Sequence, residues 1–160
     1  MRSAKNAAGP YTDGELDTLA TRIWEWLGRQ VDESPVVAAV ERDESQPNRR
    51  WFLRVHGEEK DVFSIWFHLG QRTLSYETYM LPDPETHRAE LFEYLLRHNR
   101  QLYGASFAIG EEKAVFLVGQ LDNRMVDDVE LDRVLGSLYG WVERYFRPAL
   151  RLGFASRFHG

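Results

Sequence analysis

Apolar residues recur at Leu16, Leu19, Ala20, Ile23 and Leu27, a spacing that draws one stripe along a helix. Thr12 and Glu15 precede it with the spacing of a capping box, so a first helix is predicted to begin near Thr12. It is predicted to fade between Gly28 and Asp32. The period then changes from helical to alternating. Residues 36–40 are short and β-branched. Arg50 to His56 alternates, with Trp51, Leu53 and Val55 on one side. Val62 to Leu69 sets Phe63, Ile65, Phe67 and Leu69 against Ser64, Trp66 and His68. Thr73 to Leu81 returns as a strand rich in Thr and Tyr. Pro47-Asn48, Gly57-Glu58-Glu59 and Gly70-Gln71-Arg72 supply the turns, and such short connections predict an antiparallel meander.

Pro82-Asp83-Pro84 closes the meander and is expected to open a second helix, with Asp83 as N-cap and Pro84 in the first helical position. Leu91, Phe92, Leu95, Leu96 and Leu102 form its stripe, and Gly104 stops it. Residues 105–109 and 114–121 read as two strands. A third helix starts near Asp127 or Asp128, carries Leu131, Val134, Leu135, Leu138, Val142 and Tyr145, and is expected to kink or end at Pro148. The order is α-β-β-β-β-α-β-β-α. Strands grouped between isolated helices predict an α+β fold, an antiparallel sheet of five to six strands with three helices. One domain is expected over residues 12–154, with flexible tails at 1–11 and 155–160.

Both sides of this sheet carry large apolar groups. Trp51, Leu53, Phe63, Ile65, Phe67 and Leu117 share one side; Phe52, Trp66, Tyr79, Phe116 and Val118 point the other way. A sheet covered on one side alternates apolar with polar, and each aromatic side chain carries about 150–250 Å². Three helices do not readily cover both faces. The surplus predicts a partner, with Phe52, Trp66, Tyr79 and Phe116 as its anchors.

Composition narrows the chemistry. Twenty basic and 25 acidic residues give 160 residues a net charge of −5, which disfavours general nucleic-acid binding. There is no cysteine, so no disulfide, thiol nucleophile or thiolate metal site. No apolar run approaches the roughly 20 residues of a membrane span, and the N-terminal stretch reads as neither signal peptide nor anchor, so a cytoplasmic protein is expected. The five histidines form no helical metal pair; His87 and Glu90 are two ligands at most. No phosphate loop, dinucleotide fingerprint or nucleophile elbow occurs. No cofactor and no metal are expected. Glu58-Glu59 and Glu111-Glu112 fall in turns, where carboxylates are solvated. Glu77, inside a strand, is expected to pair with Arg54 or Arg72 across the sheet. Asn99 falls within the second helix's apolar stripe, as a structural amide bonding backbone or a polar anchor at an interface. Arg97, Arg100, Arg144, Arg147 and Arg151 gather near helix ends, where cations meet the helix dipole.

The run Leu95-Leu96-Arg97-His98-Asn99-Arg100-Gln101-Leu102-Tyr103-Gly104, the strand pair after it, and Leu131-Asp132-Arg133-Val134-Leu135 resemble the YbjN-like family. The hairpin Leu69-Gly70-Gln71-Arg72-Thr73-Leu74 and the strand Tyr76-Glu77-Thr78-Tyr79 do so too. That family shares the architecture of type III secretion chaperones. The resemblance implies a sheet-and-helix fold, often homodimeric, that binds polypeptide rather than turning over a substrate. The expectation is a non-enzymatic, chaperone-like or regulatory adaptor, a homodimer with an unspecified client protein and no nucleic-acid or membrane partner. The alternative is a small-molecule sensor or enzyme with a pocket between helix and sheet, lined by Glu77, Tyr76, Arg54 and His68.

Overall fold

The computed structural model describes residues 9–158. Among them the elements run α1 (Asp13–Glu33), β1 (Val37–Arg42), β2 (Arg50–His56), β3 (Val62–Leu69), β4 (Thr73–Leu81), α2 (Arg88–Asn99), β5 (Ser106–Ile109), β6 (Val115–Asp122) and α3 (Asp128–Gly153). The six strands form one antiparallel sheet in the order β1-β2-β3-β4-β6-β5. The meander β1 to β4 is as expected. α2 then carries the chain past β4 to the far edge, and β6 returns between β4 and β5. The parts of the expected tails at 1–8 and 159–160, His159 included, lie outside the described residues.

The alternation sorts the sheet's two faces. Trp51, Leu53, Val55, Phe63, Ile65, Phe67, Leu74, Tyr76, Thr78, Met80 and Leu117 point to one side and are buried. All three helices pack on that side. Trp26 of α1 meets Phe67 edge-on, with ring centroids 6.1 Å apart. From α3, Tyr139 stacks on Phe63 at 6.2 Å and Tyr145 meets Phe107 at 5.5 Å. α2 reaches the same layer through Tyr94, 6.4 Å from Tyr145. The indole of Trp26 donates to Asp132 at 2.8 Å and ties α1 to α3.

Three element boundaries differ from expectation. α1 has the predicted capping box, with Thr12 and Glu15 exchanging bonds of 3.2 Å. It does not fade at Gly28, however, and continues to Glu33. Gly28 faces open space while Leu27 and Gln30 are buried, so their burial outweighs a glycine's cost of about 1 kcal/mol. α2 starts at Arg88, not at Pro84, after a left-handed His87 (φ 47°). Residues 85 and 86 are held instead by the end of α3: both amides donate to the Gly153 carbonyl at 2.8 Å, and Thr86 Oγ1 donates to Leu152 at 2.8 Å. These tertiary bonds compete successfully with the first turn of a helix. α3 runs through Pro148 to Gly153. Arg144 and Pro148 both lie on its exposed side, where water can take the carbonyl that proline leaves unbonded.

Candidate functional site: the uncovered face of the sheet

The opposite face of the sheet has no helix on it. Strand register aligns Phe52, Trp66, Glu77 and Val118 as one rung across β2, β3, β4 and β6. On one side of it Arg50, His68, Ser75 and Gln120 form a second rung; on the other, Tyr79 faces Phe116. The four expected anchors therefore do share a surface. They lie there as two pairs: Phe52 and Trp66 with centroids 4.5 Å apart, Tyr79 and Phe116 at 5.6 Å and nearly perpendicular. Because each ring shields its neighbour, Phe52, Trp66 and Phe116 are half-buried, while Tyr79 keeps 43% of its surface.

Two cations trim this surface. The Arg50 guanidinium lies 4.6 Å above the Trp66 ring and 3.6 Å from the Asp43 carboxylate. The register shift between Tyr79 and Leu81 leaves strand carbonyls for another partner, and the Lys60 ammonium donates to those of Tyr79 and Met80, both at 2.9 Å. It also sits 5.0 Å from the Tyr79 ring and 5.1 Å from that of Phe146. Burial of Lys60 pulls its pKa down to about 8.

Between the rings the face is hollowed. A basin of about 770 Å³ is lined by Arg50, Trp66, His68, Ser75, Glu77 and Gln120 among others. A smaller one of about 370 Å³ is lined by Lys60, Ser64, Tyr79 and Phe116. Trp66 and Glu77 belong to both and form the saddle between them. The expected pairing of Glu77 with Arg54 or Arg72 does not form. Register sets Glu77 between Trp66 and Val118, sets Arg54 across from Ser64, and leaves Arg72 in the β3–β4 turn. Of the four residues expected to line a pocket between helix and sheet, Glu77, Tyr76 and His68 do border the larger basin and Arg54 does not, and that basin opens on the uncovered face. Strand parity turns Tyr76 into the core, where its hydroxyl donates to the Gly104 carbonyl, and turns the other three outward.

Asn99 bonds the backbone of β5. At the end of α2 its Oδ1 accepts the Phe107 amide at 2.7 Å and its Nδ2 donates to the Phe107 carbonyl at 3.2 Å. The arginines near the helix ends do not gather into a basic patch: Arg97 pairs with Glu93, Arg147 with Glu59, and Arg144 lies over the Tyr145 ring.

Sequence reasoning missed an apolar groove of about 250 Å³ between α2 and β5, lined by Phe92, Leu95, Leu96, Phe107, Ile109 and Val115 among others. Leu96 and Ile109 are 65% and 55% exposed. The signal was the width of α2's stripe: Leu91 and Leu95 make one buried column, Phe92 and Leu96 a second that the core covers only at Phe92, and there in part. Among the described residues no three ligating side chains gather for a metal, and no helix is long and apolar enough to cross a membrane.

Known proteins share this arrangement. Rv0487, an uncharacterized protein of Mycobacterium tuberculosis (strain ATCC 25618 / H37Rv), is 34% identical over 104 residues, 65% of this chain and 57% of its own length. ML2442 of Mycobacterium leprae (strain TN), also uncharacterized, is 29% identical over 107 residues, 67% of this chain and 58% of its own. The chain thus spans little more than half the length of the curated relatives it matches. Among solved structures, a chain of the ExsC–ExsE complex superposes with a TM-score of 0.58 at 16% identity, covering 81% of this chain and 94% of that one. A chain of the HopA1–SchA chaperone–effector complex gives 0.57 at 13% identity, over 87% and 99%. One from the ExoU–SpcU complex of the Pseudomonas aeruginosa type III secretion system gives 0.51 at 13%, over 78% and 97%. The architecture is that of the type III secretion chaperones. Residues 33–150, which hold the whole sheet, match the family described as "Putative bacterial sensory transduction regulator", and the chain belongs to this YbjN family.

Proposed function

We propose that this protein is a cytoplasmic, non-enzymatic adaptor that docks an extended client polypeptide on the uncovered face of its sheet. The observation that carries the reading is the placement of all three helices on one face, which leaves Trp66, Tyr79 and Phe116 around two hollows on the other, with Phe52 against Trp66. The fold shared with a chaperone–effector complex supports it. Main-chain pairing would add affinity at the β1 edge. The backbone N–H of Asp43 donates to the Arg50 carbonyl at 2.9 Å, so by antiparallel alternation Val40 and Arg42 direct their backbone groups outward. The other edge is less receptive, because Asn99 already occupies Phe107.

Two copies of the chain are proposed to associate through the α2–β5 groove, burying Leu96 and Ile109. Light scattering then gives a dimer for the native chain and a monomer for Leu96→Glu/Ile109→Glu.

Suppression of the aggregation of reduced, unfolded lactalbumin tests the docking face. The native protein is expected to hold the polypeptide in solution and the folded Trp66→Ala/Phe116→Ala variant to lose most of that effect. Equal suppression by both removes the face from the proposal.

A further inference from the structure

We infer that the face selects a client segment carrying a basic residue, with the Glu77 carboxylate as its counter-ion; this rests on the docking reading above. Glu77 stands at the centre of the face, half-buried, on the saddle shared by the two hollows. Among the described residues it has neither an ion pair nor a hydrogen bond through its carboxylate. Two of the nearby cations are committed elsewhere. Arg50 is held by Asp43 and the Trp66 ring, and Lys60 by the carbonyls of Tyr79 and Met80. Arg54 and His68 share the face and are exposed. Arg54 faces Ser64, one rung away from Glu77, and His68 stands opposite Ser75, neither within ion-pair distance of the carboxylate.

A carboxylate that has lost part of its water and gained no partner is a charge awaiting one. An arriving ammonium or guanidinium forms a charge-assisted hydrogen bond there. An arriving acid meets repulsion, which turns the same group into a filter. A strand laid along β3 and β4 presents every second side chain to the face, about 6–7 Å apart. A basic residue above Glu77 therefore places its neighbour two positions away over the Tyr79–Phe116 pair. The preferred segment has a Lys or Arg with an apolar residue two positions from it.

Panning a library of random eight-residue peptides displayed on phage reads this out. On the native protein the selected peptides are expected to carry that pattern, with Lys and Arg enriched at least threefold over the unselected library. On Glu77→Gln, whose melting curve checks its fold, the basic enrichment is expected to vanish while the apolar preference persists. An apolar preference without basic enrichment, or basic enrichment equal on both proteins, overturns the inference and leaves the docking reading standing. No enrichment at all, or enrichment unchanged by Trp66→Ala/Phe116→Ala, overturns both.

Discussion

Asn99 holds both backbone polar groups of Phe107, taking its N–H at 2.7 Å and giving to its carbonyl at 3.2 Å. The amide side chain thus acts as one rung of a strand that is not there, at the open edge of β5. Asn99→Ala leaves a donor and an acceptor without partners, at a cost of about 2 kcal/mol. Asn99→Asp keeps the acceptor alone and is expected to fall between the two in urea denaturation. The alanine variant also bares the edge, so its association is expected to rise with concentration in analytical ultracentrifugation. Native stability in Asn99→Ala would show that solvent serves Phe107 as well.

Lys60 makes stability depend on pH in an uncommon direction. Burial lowers its folded pKa from 10.5 to about 8. Between those values the unfolded chain holds a proton that the folded one has released, so stability rises with pH. The span corresponds to about 3 kcal/mol as an upper figure. The tyrosines act oppositely: burial raises Tyr76, Tyr79, Tyr94 and Tyr139, whose folded forms keep protons longer, so their contribution is lost as pH rises above about 10. Urea midpoints measured from pH 7.5 to 9.5 are expected to climb for the native chain and to stay nearly level for Lys60→Met. Parallel profiles would show that Lys60 titrates normally.

Parity is a local property, and that is why so much of the face was legible in the sequence. Reading 62–69 two residues at a time is enough to separate Phe67 from Trp66 before any fold is known. The size of the rings on both sides then exposed the shortage of cover. What escaped was set by residues distant in sequence. Gly153 decides where α2 begins, by taking the amides of Glu85 and Thr86. Glu77 lost its expected partner because strand register, not sequence distance, chooses its neighbours. Lys60 gave no sign at all: a lysine in a turn is usually solvated, and only the register shift in β4 gives its ammonium two carbonyls to bind.

The β2–β3 turn is fastened to α3 by the Glu59–Arg147 ion pair and by the Glu143 carboxylate. Glu143 accepts the amides of Glu58 at 3.2 Å and Glu59 at 2.6 Å. A Cβ at Gly57 would collide with its Oε1 and with the Lys60 carbonyl. Gly57→Ala is expected to cost about 1–3 kcal/mol through this overlap, and Glu143→Ala about 2 kcal/mol through the stranded amides. Because Glu143→Ala also removes one of the two clashes, the double variant should lose less than the sum of the single ones. Strict additivity in urea denaturation would place the cost of Gly57→Ala elsewhere.

Trp66 and Phe67 are adjacent on β3 and point to opposite faces, one among half-buried rings and one fully enclosed. If the outer face is free of any covering element, truncating the larger ring must cost less than truncating the smaller. Phe67→Ala opens a cavity under Trp26 and Tyr76, its ring neighbours, and is expected to lose about 3–5 kcal/mol. Trp66→Ala removes contacts with Phe52 and Arg50 only at a surface, and is expected to lose about 1 kcal/mol. Thermal melts of the two variants decide the order. A Trp66→Ala loss as large as that of Phe67→Ala would mean that this face is already sheltered in the free protein, and a client would have no surface to meet.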